Sequence, residues 1–288
     1  MWNLVRRIGV PGVVIVTLFV LIGLFAPLIA PYNPNAQDLL SANDAPSWAH
    51  WLGADHLGRD TLSRLILGAR TTLVAVTIIV TFALCIGVVI GSISGFFGGW
   101  LDEIIMRFID FGLAVPSLIV ALAVIGALGP AYWNMVLALT IAWIPSYARL
   151  SRAAVASTAQ RPHIESLKVL GASNSRILFR HLVPAAIASV LVYASADAGV
   201  LALAIATLSF LGLGVQPPTA EWGQMLVDAL PFLEQFPLQV IIPGLALTAM
   251  VIGFNLLGEG LALIKAPKAI GRRELRHRRK LALEEARA

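Results

Sequence analysis

The sequence predicts an all-α polytopic membrane protein with six transmembrane helices and both termini cytoplasmic. Three observations carry that prediction. Of the 288 residues, 58% are hydrophobic and only 13% charged, which is too little polar surface for a soluble globule of this size. The apolar residues fall in continuous runs of about 20 or more, the length a helical span needs, rather than in the alternation of a membrane barrel. Once the runs are threaded through a bilayer, the basic residues gather on one side of it.

The first run lies between Arg7 and Asp38 with a span at 10–30, so residues 1–31 form a short cytoplasmic segment and the first helix. It reads as a retained signal anchor, because the run is longer than a cleavable h-region and Phe25-Ala26-Pro27 offers no small-x-small cleavage site. Residues 32–69 follow as an extracytoplasmic loop, and 70–264 as the transmembrane core. The second span centres on LVAVTIIVTFALCIGVVIG and holds the only cysteine, Cys85, expected as a small buried apolar residue with no disulfide partner. Between Asp110 and Arg149 stand 38 uncharged residues split by Gly129-Pro130. Two crossings need about 40 residues plus a turn. The third span therefore starts near Ile105, which draws Asp110 inside the membrane boundary, and the fourth ends near Arg149. The fifth and sixth lie at 184–206 and 240–264, and a basic cytoplasmic tail occupies 265–288.

With the amino terminus inside, 18 of the 21 basic residues are cytoplasmic, and only Arg59, Arg64 and Arg70 remain outside. This positive-inside bias sets the orientation. It also accounts for the pI near 9.8 without nucleic acid. The tail reads first as a lipid-surface segment. No Gly-Lys dipeptide occurs, so there is no P-loop to bind ATP. His50, Asp55 and His56 lack the further ligands of a metal site and read as a solvated loop, and no nucleophile–base pair stands out.

The most distinctive stretch is RPHIESLKVLGASNSRILFRHLVP, residues 161–184, a polar insert between apolar runs within the cytoplasmic segment 149–183. Pro162 suits a first helical turn, and Ile164, Leu167 and Leu170 form one apolar stripe. Gly171 supplies the left-handed residue that ends that helix, and Ser173 caps a second. In the second helix Ile177, Leu178 and Phe179 are expected as apolar surface, with Arg176 and Arg180 hydrated. Pro184 opens the next span.

The insert resembles the cytoplasmic EAA loop of ATP-binding-cassette importer permeases, with Glu165, Gly171 and Pro184 on the pattern's fixed positions. Ser166 and Leu167 replace its two alanines and His181 its usual isoleucine. HWLGADHLGRDTLSRLILGAR (50–70), GFFGGWLDEIIMRFIDFGLAVPSL (95–118) and LSFLGLGVQPPTAEWGQML (208–226) are similar to the second permease subunit of dipeptide, oligopeptide and nickel importers. The chain departs from that family at Ile205, where an acid is common, and at Ala266-Pro267-Lys268, where aspartate-proline-arginine is usual.

The resemblance implies a type I, MetI-like permease in the inner membrane of a prokaryote, importing peptides or similar small solutes. It implies a second homologous permease subunit, two cytoplasmic ATPase subunits that carry the ATP and Mg, and an extracytoplasmic substrate-binding protein. It implies, too, that this chain holds no cofactor of its own and is no enzyme. Pro162, His163, Ile164, Glu165, Ser166, Leu167, Lys168, Leu170, Gly171, Ala172, Ser173, Arg176 and Pro184 would form the ATPase-coupling loop. Asp55, Arg59, Asp60, Glu221 and Trp222 are candidates for binding-protein contact, with Trp48, Trp51 and Trp222 read alternatively as interfacial anchors. Asp197, deep in the fifth span, either lines the pathway or joins helices through Tyr193, Ser195 or Asn255. Asp110 or Asp197 would be the coupling acid of the alternative function, a proton-coupled secondary transporter or channel without an ATPase.

Overall fold

A computed structural model describes residues 2–265; of the basic tail expected at 265–288, all but Lys265 lies outside the described residues. The described chain is helical, with one isolated bridge, Ala54 to Asp60, in place of any strand. Its helices are α1 (Trp2–Ile29), α2 (Thr61–Phe97), α3 (Gly99–Ala114), α4 (Ser117–Leu128), α5 (Tyr132–Ala159), α6 (Pro162–Val169), α7 (Asn174–Ile177), α8 (Val183–Phe210), α9 (Trp222–Ala229) and α10 (Leu238–Lys265).

Among the described residues, four helices are long and apolar enough to cross a membrane: α1, α2, the continuous helix Asn174–Phe210 that contains α7 and α8, and α10. The expected third span is not one straight helix. It breaks at Val115-Pro116 into α3 and α4, bent by 88°. Proline biases the residue before it to extended backbone, and Val115 sits there with φ −101° and ψ 132°. Taken as one span, the bent pair brings the number to five.

Small residues set the packing, because helices in lipid associate through close backbone approach rather than through a hydrophobic drive. On α2, Gly87, Gly91 and Gly95 recur every four residues. A Cβ at Gly91 would lie 2.2 Å from the Ala148 carbonyl oxygen, and one at Gly87 would lie 2.7 Å from Tyr147 Cβ. The contacts climb both helices together, so α2 and α5 run parallel. Gly9 meets Gly260, Gly12 meets Leu257 and Gly253 meets Ile15, an inverse order that makes α1 and α10 antiparallel. The main core gathers Ile79, Ile125, Leu139, Tyr147, Leu201 and Ile205 between α2, α4, α5 and α8. Cys85 is exposed on the outer face of α2, not buried as expected; it falls on the face opposite the glycines that meet α5.

Two further boundaries differ from the sequence reading. Helix α2 begins at Thr61 because Asp60 caps it, accepting the Ser63 amide at 2.7 Å. The last nine residues of the 32–69 loop therefore belong to a helix. Pro184 does not open a new helix either. It sits just after a π-turn, Leu178–Leu182, in which the Val183 amide reaches back to the Leu178 carbonyl. Proline has no N–H and crowds the carbonyl four residues before it, and the wider turn accommodates this without ending the helix.

Candidate functional site

At one end of the bundle the polar insert folds as a tight helix pair. Pro162 occupies the first turn of α6, and Glu165 also lies in that turn, where a carboxylate favours the helix dipole. The Ser166 hydroxyl donates to the Pro162 carbonyl at 3.0 Å. Gly171 has φ +76°; its amide bonds the Lys168 carbonyl and the Ala172 amide bonds that of Leu167, each at 3.0 Å. This is a Schellman closure, and only the left-handed residue makes it cheap. The Ser173 hydroxyl then accepts the Arg176 amide at 3.4 Å, and His163 faces His181 with ring centroids 6.5 Å apart.

Ile164, Ile177, Leu178 and Leu182 are buried with Val155 and Ala186 against the ends of α5 and α8, and Phe96 and Leu167 pack beside them. The stripe expected through Leu170 stops short. A three-residue step drifts about 60° per repeat on a helix of 3.6 residues per turn, and Leu170 is 81% exposed. Val169 is 87% exposed and Phe179, expected to pack, is 70% exposed. An apolar tip thus projects from a pair whose base is anchored; the sequence reading missed Val169, and the signal for it was its place just outside the stripe.

At the opposite end, residues 32–60 and 211–237 close into a cap. The Arg59 side chain meets Asp55 Oδ2 at 2.6 Å and Asp228 Oδ2 at 3.2 Å, and Arg64 meets Asp55 at 3.4 Å. Arg64 also donates to the carbonyls of Pro34 and Pro218. Asp60 joins His50 Nδ1 at 2.9 Å. Glu221 caps α9 by accepting the Gln224 amide at 3.1 Å, and burial pushes its carboxyl above the usual range. Trp222 Nε1 donates to the Leu65 carbonyl at 3.0 Å, and the indole meets Phe19 edge-on. Three buried polar atoms, His56 Nδ1, Thr61 Oγ1 and Gln239 Oε1, have no partner among the described residues. Their residues line one cavity of about 20 Å³ with Asp55, Arg64 and Asp228, room for a single water.

This geometry corrects the expected binding-protein contacts. Arg59, Asp60, Glu221 and Trp222 are 2%, 3%, 0% and 1% exposed, and Asp55 is turned inward to two arginines. Buried charges need partners, and the two loops supply them to each other instead of to an outside protein. Nor is Trp222 an interfacial anchor. The exposed groups of the cap include Leu39, Leu40, Trp48 and Trp51.

Between the two ends, Tyr147 on α5 donates its hydroxyl to Asp197 on α8 at 3.0 Å. Tyr193 packs edge-on against Tyr147, centroids 6.0 Å apart. Asn255 is exposed, and the helix-joining partner of Asp197 is Tyr147, which spacing along α8 does not reveal. Asp110 is paired with Arg149, and Asp102 takes Arg152 in a two-pronged contact at 2.5 and 3.1 Å. Both pairs tie α3 to α5.

The comparisons with known proteins agree with this architecture. Residues 87–270 match the family described as binding-protein-dependent transport system inner membrane component, and residues 5–46 match the N-terminal TM domain of oligopeptide transport permease C. The chain is 38% identical over 263 residues to the dipeptide transport system permease protein DppC of Alkalihalophilus pseudofirmus, covering 91% of this chain and 86% of that one. It is 40% identical over 264 residues to the glutathione transport system permease protein GsiD of Pectobacterium atrosepticum, covering 91% and 88%. Against the probable D,D-dipeptide transport system permease protein DdpC of Escherichia coli it is 38% identical over 263 residues, covering 91% and 88%. The chain belongs to the family of binding-protein-dependent transport system inner membrane components, as an ABC importer permease of the DppC/OppC-like kind.

Proposed function

We propose that this permease moves peptides or similar small solutes, glutathione among them, delivered by a substrate-binding protein and driven by separate ATPase subunits. It pairs with a second homologous permease and stands on two ATPases, which hold the ATP and Mg. The bundle crosses the membrane six times, with α3 and α4 as one broken span and α5 as the fourth. Both termini are then cytoplasmic, the α6–α7 pair lies inside and the cap outside, which is the orientation the distribution of basic residues favours.

The observation that carries the coupling role is the contrast within the α6–α7 pair. Its base is locked to α5 and α8 through Ile164 and Ile177, each 0% exposed, while Val169, Leu170 and Phe179 stand free at its tip. A partner that grips the tip moves both long helices together, because a packed base transmits displacement instead of absorbing it. Closure of the ATPases on ATP would thus tilt α5 and α8 and switch the pathway between inward and outward access. The cap, closed on itself by its charges, supports a rigid platform that receives the binding protein on exposed groups such as Leu40 and Trp48.

Gly171→Asp tests this reading. A side chain at φ +76° strains the turn, and the carboxylate adds charge beside the tip. The variant is expected to insert at wild-type level and to lose ATP-driven uptake in reconstituted vesicles. Normal uptake would overturn the coupling role.

A further inference from the structure

Between α1 and α2, on the cap side of the bundle, runs a groove of about 380 Å³ lined by Val20, Gly23, Leu24, Arg70, Leu73, Val74, Thr77 and Ile78. Its walls are apolar, and Val20, Leu24 and Val74 are 47%, 67% and 42% exposed. The Thr77 hydroxyl is already used, donating to the Leu73 carbonyl at 2.8 Å. That leaves Arg70 as the one charged group in the groove. It is exposed, no acid lines the groove, and among the described residues its guanidinium has no hydrogen-bond or ion-pair partner.

The level of Arg70 makes this consequential. It lies nine residues into a helix long and apolar enough to span, about 14 Å from its start at 1.5 Å per residue. The close crossing of α1 holds it there: a Cβ at Gly23 would lie 3.5 Å from Arg70 Cα and 2.9 Å from the Leu73 side chain. Leu24 and Leu28 continue α1 towards the cap past that crossing, so the cation sits beside apolar chain. Helix α2 has 37 residues, about 55 Å and so longer than a bilayer core. Its first nine belong to the cap side, so Arg70 lies at the outer boundary of the span, the level of a lipid phosphate.

We infer that the α1–α2 groove is a phospholipid site, with the lipid phosphate on the Arg70 guanidinium and an acyl chain along Val20, Leu24, Val74 and Ile78. Charge complementarity selects the occupant: the groove offers one donor fork suited to phosphate above an apolar trough, the two-part chemistry of a phospholipid. The bound lipid would fill the gap beside the α1–α2 crossing and fix the first helix on the bundle. This rests on the membrane placement of the chain and not on its cargo or coupling.

Native mass spectrometry of the assembled transporter containing the full chain, after detergent washing and addition of phosphatidylglycerol, tests it. The wild type is expected to retain one phospholipid on this subunit. Arg70→Gln should lower the bound fraction about fivefold, the worth of one basic contact near a lipid surface, and Val74→Trp should abolish binding by filling the trough while leaving Arg70 in place. Inorganic phosphate should not displace the lipid. An unlipidated wild type, undiminished binding in both variants, or displacement by phosphate would each overturn the site, as would a partner helix seated on Arg70 in the assembled complex. Should Arg70→Gln fail to fold, Val74→Trp carries the test alone.

Discussion

Tyr147 and Asp197 join α5 to α8 inside the bundle by a 3.0 Å hydrogen bond from hydroxyl to carboxyl. These are the two helices whose ends hold the α6–α7 pair, so the bond ties together the elements that the proposed coupling would tilt as one. An intramembrane acid held by a phenol from a neighbouring helix has the geometry of a joint.

Asp197→Asn keeps a group that accepts the Tyr147 hydrogen, and it is expected to leave the substrate KM of uptake unchanged. Tyr147→Phe removes one of the two side-chain hydrogen bonds on the carboxyl, Trp143 keeping the other, and should destabilise the permease by about 1 kcal/mol. Thermal unfolding in detergent measures the second effect and uptake kinetics the first. A raised KM in Asp197→Asn would move the residue into the substrate path.

The cap should fail sharply when its charges are uncoupled. Arg59 is 2% exposed between Asp55 and Asp228. Arg59→Ala leaves Arg64 as the one remaining cation beside the two carboxylates, and removing one partner of a buried pair costs about 3–5 kcal/mol. The expected result is rapid proteolytic cleavage within residues 32–60 and 211–237 while the membrane helices stay protected. Cleavage no faster than in the wild type would show that the loops close without this network.

Glu221 gives the cap a pH dependence of defined sign. Burial raises its pKa above the ordinary glutamate value of 4.5. The native state therefore keeps a proton that the unfolded chain releases. Its contribution to stability is complete below about 4.5 and is lost as pH rises through the higher native value. Thermal unfolding between about pH 5 and 8 should show wild-type stability falling with pH relative to Glu221→Gln, which carries no titrating proton. A flat difference between the two would place the native pKa at its ordinary value.

How much of this was legible varies from residue to residue. The helix pair could be read almost completely, because Pro162, Gly171 and Ser173 act on backbone within a few residues of themselves. The π-turn before Pro184 was hidden: a proline signals a helix start equally well, and only the continuous packing of Leu178, Leu182 and Ala186 kept the helix going. The break at Val115-Pro116 is masked in the sequence by the apolar run around it. In the cap the charged residues were found but given the wrong direction. Local sequence shows that Arg59 and Asp228 are charged, and nothing in it shows that 169 positions apart they share a hydrogen bond.

By itself the sequence determined the membrane class, the location of the polar insert and, through its motifs, the family. These depend on composition and on short-range spacing, which a linear chain carries in full. The tertiary structure alone decided which charges are satisfied and which remain for partners. It turned Asp55, Arg59, Asp60, Glu221 and Trp222 inward, gave Asp197 to Tyr147 and Asp110 to Arg149, and left Arg70 and the tip at Val169, Leu170 and Phe179 open. Burial and pairing are relations between distant segments, fixed only when close-packed glycine faces set the helices side by side.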